Sequence, residues 1–195
     1  MKILNSRIQK ITMQYFFYIP LIISFAIFLK FIYLIDGHIL NHYPFLGSDS
    51  FDYIVESMAI SQYLTTGNFY ELPVLRNPIL VLALTVDSFL LNKGVFIAAL
   101  FSLSFYLQYI FSDRILGLFK KNSLFDKTII LYSVFFITLN HQKYFLFAEN
   151  IAIFFILAGT YYLLRAYIKN CTKDHYYSLL FYFFGAVTQF YVLIP

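Results

Sequence analysis

The sequence predicts an all-α, polytopic transmembrane helix bundle with an amphipathic interfacial helix in a long first external loop. Three observations carry that fold class. Of the 195 residues, 61% are hydrophobic and only 12% charged, with a mean hydropathy of +0.72, whereas soluble domains run to about half apolar and about a quarter charged. Several apolar runs approach the ~20 residues that a helix needs to cross a bilayer. The basic residues fall in short stretches between those runs, as topology signals do.

A net charge of +4 could suggest nucleic acid, but Lys and Arg form no single stripe, so no nucleic-acid partner is expected. Phe (25) and Tyr (18) abound without Trp; codon bias toward AT-rich triplets accounts for that. Cys171 is the only cysteine, which excludes an intrachain disulfide framework and a thiolate metal cluster.

The elements follow in order within one transmembrane domain, 1–195. Residues 1–14 carry Lys2, Arg7 and Lys10 and are expected on the cytoplasmic side, ahead of a span at 15–35. That run is too long for a signal-peptide core and no small-residue cleavage site follows it, so it stays as an anchor. Lys30 would cost up to about 3 kcal/mol at a span's centre but lies near the end, where it can snorkel. Residues 36–77 form the external loop. Within it 50–66 reads as an amphipathic helix, with Phe51, Ile54, Val55 and Met58 on one side and Asp49, Asp52 and Glu56 on the other. Gly67 is its stop, and such a helix can lie on the bilayer surface with its carboxylates toward water or a neighbouring loop.

Residues 79–91 are apolar but short, and Asp87 interrupts them; they suit a re-entrant segment or a short span. Further spans are expected at 95–111, 128–145, 150–168 and 176–194. If 79–91 does not cross, the basic clusters at 2–10, 114–127 and 165–173 share the cytoplasmic side. Asp49 and Glu149 then share the external face. If it crosses, the middle cluster moves outside, so the charges favour the first arrangement.

The polar residues of the first loop carry the candidate chemistry. Asp49 is suited to cap the surface helix, with Asp52 at the third helical position as in a capping box. A carboxylate there could also bind a metal ion or take a proton from a hydroxyl acceptor. Arg76, before Asn77 and Pro78, can snorkel to lipid phosphates or grip a lipid-linked phosphate in bidentate fashion. Lys143 and Glu149 close a later turn, where an acid at the start of a span also favours the helix dipole. His38 and His42 are four apart but lack a third ligand, so they read as boundary residues.

Gly47-Ser48-Asp49-Ser50-Phe51-Asp52-Tyr53-Ile54, followed by Arg76-Asn77-Pro78-Ile79-Leu80, resembles the first external loop of the GT-C-fold glycosyltransferases, of the mannosyltransferase and aminoarabinose-transferase kind. Phe145-Leu146-Phe147-Ala148-Glu149-Asn150-Ile151, leading to Tyr161-Tyr162-Leu163-Leu164-Arg165, is similar to their second external loop. The resemblance covers roughly 15–195, the N-terminal portion of such an enzyme. It implies an integral membrane protein, of the bacterial inner membrane, that transfers a sugar from a polyprenyl-phosphate donor to an acceptor outside. Asp49 then matches the catalytic carboxylate, with Mg or Mn as an implied metal on it, and Glu149 the second-loop acid. Asp52, Arg76 and Lys143 bind substrate, the two cations steadying the phosphate.

Where members carry two prolines or an aromatic after the basic residue, this chain has Asn77 and a single Pro78; Gly185 to Phe190 stand where an arginine before a proline is common. The chain also stops at Pro195, directly after a hydrophobic run, so a missing C-terminal half or a partner subunit is expected. Two other classes fit the same spans. One is a non-catalytic membrane scaffold or subunit; the other is a polysaccharide polymerase or transporter component, which should place polar groups at mid-membrane.

Overall fold

A computed structural model describes residues 18–30, 48–67, 78–90, 95–119, 123–140 and 148–189. Those residues form seven helices and no strand: α1 (Tyr18–Lys30), α2 (Ser48–Thr66), α3 (Pro78–Leu90), α4 (Val95–Leu118), α5 (Leu124–Asn140), α6 (Ala148–Lys169) and α7 (Thr172–Gln189). Among the described residues two helices are long and apolar enough to cross a membrane, α4 and the Ile151–Lys169 stretch of α6.

The bundle is assembled around α4, about 36 Å long at 1.5 Å per residue. Its successive turns supply the centre of three apolar clusters. Ile97 and Phe101 pack with Tyr53, Leu80, Val81 and Ile151. Phe105 and Tyr109 pack with Ile27, Ile130, Leu131 and Val134. Phe111 packs with Ala158 and Tyr161.

The directions of the helices follow from these partners. Later residues of α4 meet later residues of α6, and Asp113, past Phe105 and Tyr109, meets Lys127, ahead of Ile130 and Val134, so α6 runs with α4 and α5 against it. The Phe96 amide donates to Asp87 Oδ1 at 2.7 Å across the α3–α4 hairpin, and α3 runs against α4. Ser24 and Ser102 bring α1 onto α4: each hydroxyl lies 2.7 Å from the other residue's carbonyl oxygen, a close approach that only small side chains permit. Ile27, one turn after Ser24, joins Phe105 and Tyr109, which follow Ser102, so α1 runs in the same direction as α4. The chain must turn back between them, and α3 is on that return course. Within the segment expected to be re-entrant or a short span, Pro78–Leu90 packs antiparallel to α4 as one arm of a helical hairpin.

Boundaries differ from the expected spans for identifiable reasons. The expected 95–111 run stops short of Asp113 and Arg114, yet α4 continues to Leu118 because both charges find partners: Asp113 pairs with Lys127 of α5 at 3.3 Å, and the Arg114 guanidinium lies 5.7 Å from the Phe111 ring centre. α5 starts at Leu124, earlier than 128, under a local cap in which the Ser123 hydroxyl donates to Asp126 Oδ2 and accepts from the Asp126 amide. α7 begins at Thr172, earlier than 176.

α2 ends as expected, with Gly67 at φ 71° and its amide donating to the Tyr63 carbonyl at 2.8 Å. Its faces are not those expected. Tyr53 (2% exposed), Glu56 (4%) and Ser57 are buried, while Val55 and Met58 (64%) are exposed. The buried set, continued by Ile60 and Ser61, recurs at i, i+3, i+4, i+7 and i+8, the stripe of a helix packed on a neighbour. That neighbour is α3. Thr85 Oγ1 approaches the Ser57 carbonyl at 3.5 Å, and the Ser61 and Ser88 hydroxyls meet at 2.8 Å. Ser88 donates to the Thr85 carbonyl, which leaves Ser61 as donor to Ser88. Because 57 faces 85 and 61 faces 88, α2 runs alongside α3 in the same direction. Glu56 therefore points into protein rather than water, which corrects the expected polar face.

The bundle buries polar groups among its apolar clusters and leaves many large apolar side chains outside. Ser24, Ser57, Thr85, Asp87, Ser102, Ser104, Gln108 and Thr188 are buried, whereas Ile22, Phe25, Phe125, Tyr132, Tyr176, Leu179 and Phe183 are exposed. Large exposed apolar area marks a surface made for another apolar phase.

α6 and α7 are the most extensively packed pair. Their turn is a Schellman motif: Asn170 takes φ 50°, and the Cys171 amide donates to the Ala166 carbonyl at 3.2 Å. At Gly159 the helices close so tightly that an added Cβ would lie 3.0 Å from Tyr182 Cδ1. That ring is pinned, since the Tyr182 and Thr160 hydroxyls meet at 3.0 Å. Gly159→Val should therefore destabilise the protein by about 1–3 kcal/mol through overpacking, read as lost thermal stability in detergent. Gly117, which has open space around its Cβ position, should tolerate Ala.

Candidate functional site

The first turns of α2, α3 and α6 converge on one apolar cluster. α2 opens at Ser48 within the polar Gly-Ser-Asp-Ser stretch, and α3 opens on Pro78, a residue whose fixed φ and missing N–H suit the first helical position. α6 opens on Ala148 and Glu149, an acid where the helix dipole favours one. Tyr53, four residues after Asp49, Leu80, four after Arg76, and Ile151, two after Glu149, all belong to the same buried cluster.

Asp49, Asp52 and Glu149 are helical, and their side chains lie outside the described residues; Arg76, Lys143, His38 and His42 lie outside them altogether. Helix direction still separates the predicted set. α2 and α3 run together, and α6 runs against both, so Asp49 precedes the cluster on one side while Glu149 precedes it on the other. The first-loop residues Asp49 and Arg76 belong with the starts of two parallel helices. The face expected to be shared by Asp49 and Glu149 does not follow from the packing.

A metal on Asp49 was implied by resemblance. Among the described residues no three His, Cys, Asp or Glu side chains gather where they could hold an ion; the side chain of Asp49 lies outside them.

A second polar arrangement, which the sequence reading took only as topology charges, sits where α4 and α6 end. Arg165 Nε donates to Asp174 Oδ2 at 2.6 Å, its Nη2 donates to Oδ1, and its Nη1 reaches the Tyr161 hydroxyl at 3.4 Å. The guanidinium lies 5.0 Å from the Tyr162 ring centre and 5.4 Å from that of Tyr161. This two-pronged pair ties α6 to α7 across the Asn170 turn. Arg114 of α4 lies 5.8 Å from the same Tyr161 ring, so one tyrosine carries two guanidiniums from two helices. The clue available in the sequence was the near-equal distance of Arg165 and Asp174 from the turn, five residues before it and four after.

The Arg165 guanidinium holds the Asp174 carboxyl below the usual carboxylate range, Lys169 adding to the effect. A carboxyl whose folded value is depressed stabilises the fold above its unfolded value, about 3.9, and that contribution is lost as pH falls through the folded value. Thermal melts should show the α6–α7 hairpin weakening below about pH 4, and Asp174→Asn should flatten that part of the profile while lowering stability at pH 7. An unchanged acid limb in the Asn variant would remove Asp174 as its source.

No family model matches the chain, and no curated protein or solved structure matches it either.

Proposed function

We propose that the chain is a polytopic membrane glycosyltransferase of the GT-C type, or part of one, that moves a sugar from a polyprenyl-phosphate donor at the membrane face where α2 and α3 begin. The observation that supports it most is the joint start of these two parallel helices on one buried cluster, with Asp49 in the first turn of one and Arg76 two residues ahead of the other. A general base and a phosphate-gripping cation have to work side by side, and helices that start together suit that. The buried polar groups, the large exposed apolar side chains and the two helices of membrane-crossing length support the membrane part of the proposal.

In the proposed step Asp49 accepts the proton of the acceptor hydroxyl as its oxygen attacks the anomeric carbon. The bond from that carbon to the bridging phosphate oxygen breaks, and the electron pair leaves with the polyprenyl phosphate. A phosphate is a good leaving group and needs no strong acid; it needs cations to receive its charge, the role given to Arg76, with Lys143 in support. Direct displacement inverts the anomeric centre. Glu149, on the other side of the cluster, is assigned a lesser part.

The test is sugar transfer from a polyprenyl-phosphate sugar in membranes containing the wild-type chain or Asp49→Asn at equal protein level. Transfer that disappears in the Asn variant supports Asp49 as base. Transfer equal in both reduces Asp49 to a helix cap, and no transfer in either favours the scaffold.

A further inference from the structure

We propose that the end of the bundle formed by Arg114, Tyr161 and Lys169 is a seat for the phosphate of an anionic phospholipid. Arg114 and Arg165 occupy matching places: each stands four residues before the end of its helix, α4 at Leu118 and α6 at Lys169, the two helices long and apolar enough to cross a membrane. If both cross, their guanidiniums lie about one turn inside the helix ends, the depth at which arginines meet lipid phosphates and tyrosines form the interfacial belt. Tyr161, Tyr162 and Tyr177 stand at this level, with the Tyr162 and Tyr177 rings 5.3 Å apart.

The charge balance at this end leaves cations over. Asp113 is engaged by Lys127, Asp174 by Arg165 from two nitrogens, and Asp126 by the Ser123 amide and hydroxyl. Among the described residues these are the carboxylates near the ends of α4 and α6. Arg114 is exposed and has ring faces rather than a carboxylate beside it, and Lys169 follows Arg165 by one turn with its side chain exposed. Arg165 is engaged by Asp174 and the Tyr161 hydroxyl. It fixes the ring on which Arg114 rests, and Arg114 is left with donors for a phosphate, a geometry for which a planar guanidinium suits better than an ammonium. This seat is built from α4, α6 and α7 rather than from α2 and α3 and does not depend on sugar transfer; it rests on the membrane placement alone.

The experiment is native mass spectrometry of the detergent-solubilised full chain, titrated with phosphatidylglycerol or phosphatidylcholine of the same acyl chains. Phosphatidylglycerol should be retained preferentially. Arg114→Gln should weaken its retention roughly fivefold, the effect of one basic residue near an anionic surface, and Arg114→Lys should lose less. Because Arg114 is exposed, a circular-dichroism melt should show the Gln variant folded. Equal retention of the two lipids, or wild-type retention of phosphatidylglycerol by Arg114→Gln, overturns the seat. Complete displacement of the lipid by inorganic phosphate at similar concentration also overturns it, since the seat would then be for the free ion.

Discussion

Asp49→Asn should reduce sugar transfer by about 10²–10⁴-fold, the contribution of a positioned general base, while leaving the protein folded. Asp49 is the second residue of α2 rather than its cap, so asparagine there removes only a charge that the helix N-terminus favours by about 0.3–1 kcal/mol; the first turn survives the change and the basicity is lost. Glu149→Gln gives the matched comparison. α6 runs against α2 and α3, and a carboxylate on the far side of the Tyr53–Ile151 cluster should cost much less than Asp49. Equal losses from the two variants would mean that both acids reach one substrate, and the pairing of Asp49 with Arg76 would be abandoned. Arg76→Lys serves as a third arm. It keeps the charge but not the two-pronged grip, so it should raise the apparent KM for the lipid-linked sugar more than it lowers kcat.

A cysteine placed at His42 and one placed at Asn122, each in a Cys171→Ser background, should react with an impermeant maleimide from the same side of the membrane. The charge pattern expects the opposite, with the first loop outside and the stretch after α4 inside. The packing of α1 on α4 argues for the same side. Ser24 and Ser102 lock α1 to α4 with hydroxyls 2.7 Å from each other's carbonyl oxygens, and the placement of Ile27 beside Phe105 and Tyr109 sets the direction. Two helices that cross the same way end on the same side. Labelling is close to all-or-none, so reaction from opposite sides would reject the parallel pairing of α1 with α4 and restore a 79–91 segment that does not cross. Whichever side both residues report is also the side on which the proposed transfer takes place.

Much of the helical layout was legible because the signals were local. The stop of α2 at Gly67 needed only a residue that accepts positive φ, and α3 could be placed from Pro78 and the following apolar residues. What could not be read was which face of a helix meets protein. Periodicity grouped Glu56 with Asp49 and Asp52 as water-facing, on the premise that charge seeks water. In a bundle with Met58 outside and Ser57, Thr85 and Asp87 inside, that premise inverts. The length of α4 was misjudged for the same reason: Asp113 and Arg114 looked like a span's end, while their partners, Lys127 and the Tyr161 ring, lie on other helices and are invisible to a local window. The Arg165–Asp174 pair needed the Asn170 turn to be recognised first. Asn is a known left-handed cap, but nothing nearby distinguished it from any polar residue between two apolar runs. The candidate residues Asp49, Arg76, Lys143 and Glu149 were picked out by their polarity at the edges of apolar runs and by resemblance; Arg76 and Lys143 lie outside the described residues.

The α6–α7 hairpin also bears on the order in which the chain assembles. Its contacts are close in sequence: Gly159 with Tyr182, Thr160 with Tyr182, Arg165 with Asp174. Loops this short close at small entropic cost, so the hairpin can form as a unit before it finds α4. The attachment of α1 to α4 spans 78 residues and has to wait for α4 to emerge from the ribosome. Nascent α1 therefore spends the interval without its serine partner, and a membrane chaperone or a neighbouring α1 of another chain would meet it in that interval. Misassembly in this protein should begin with the first helix, while the last two hold their native contacts.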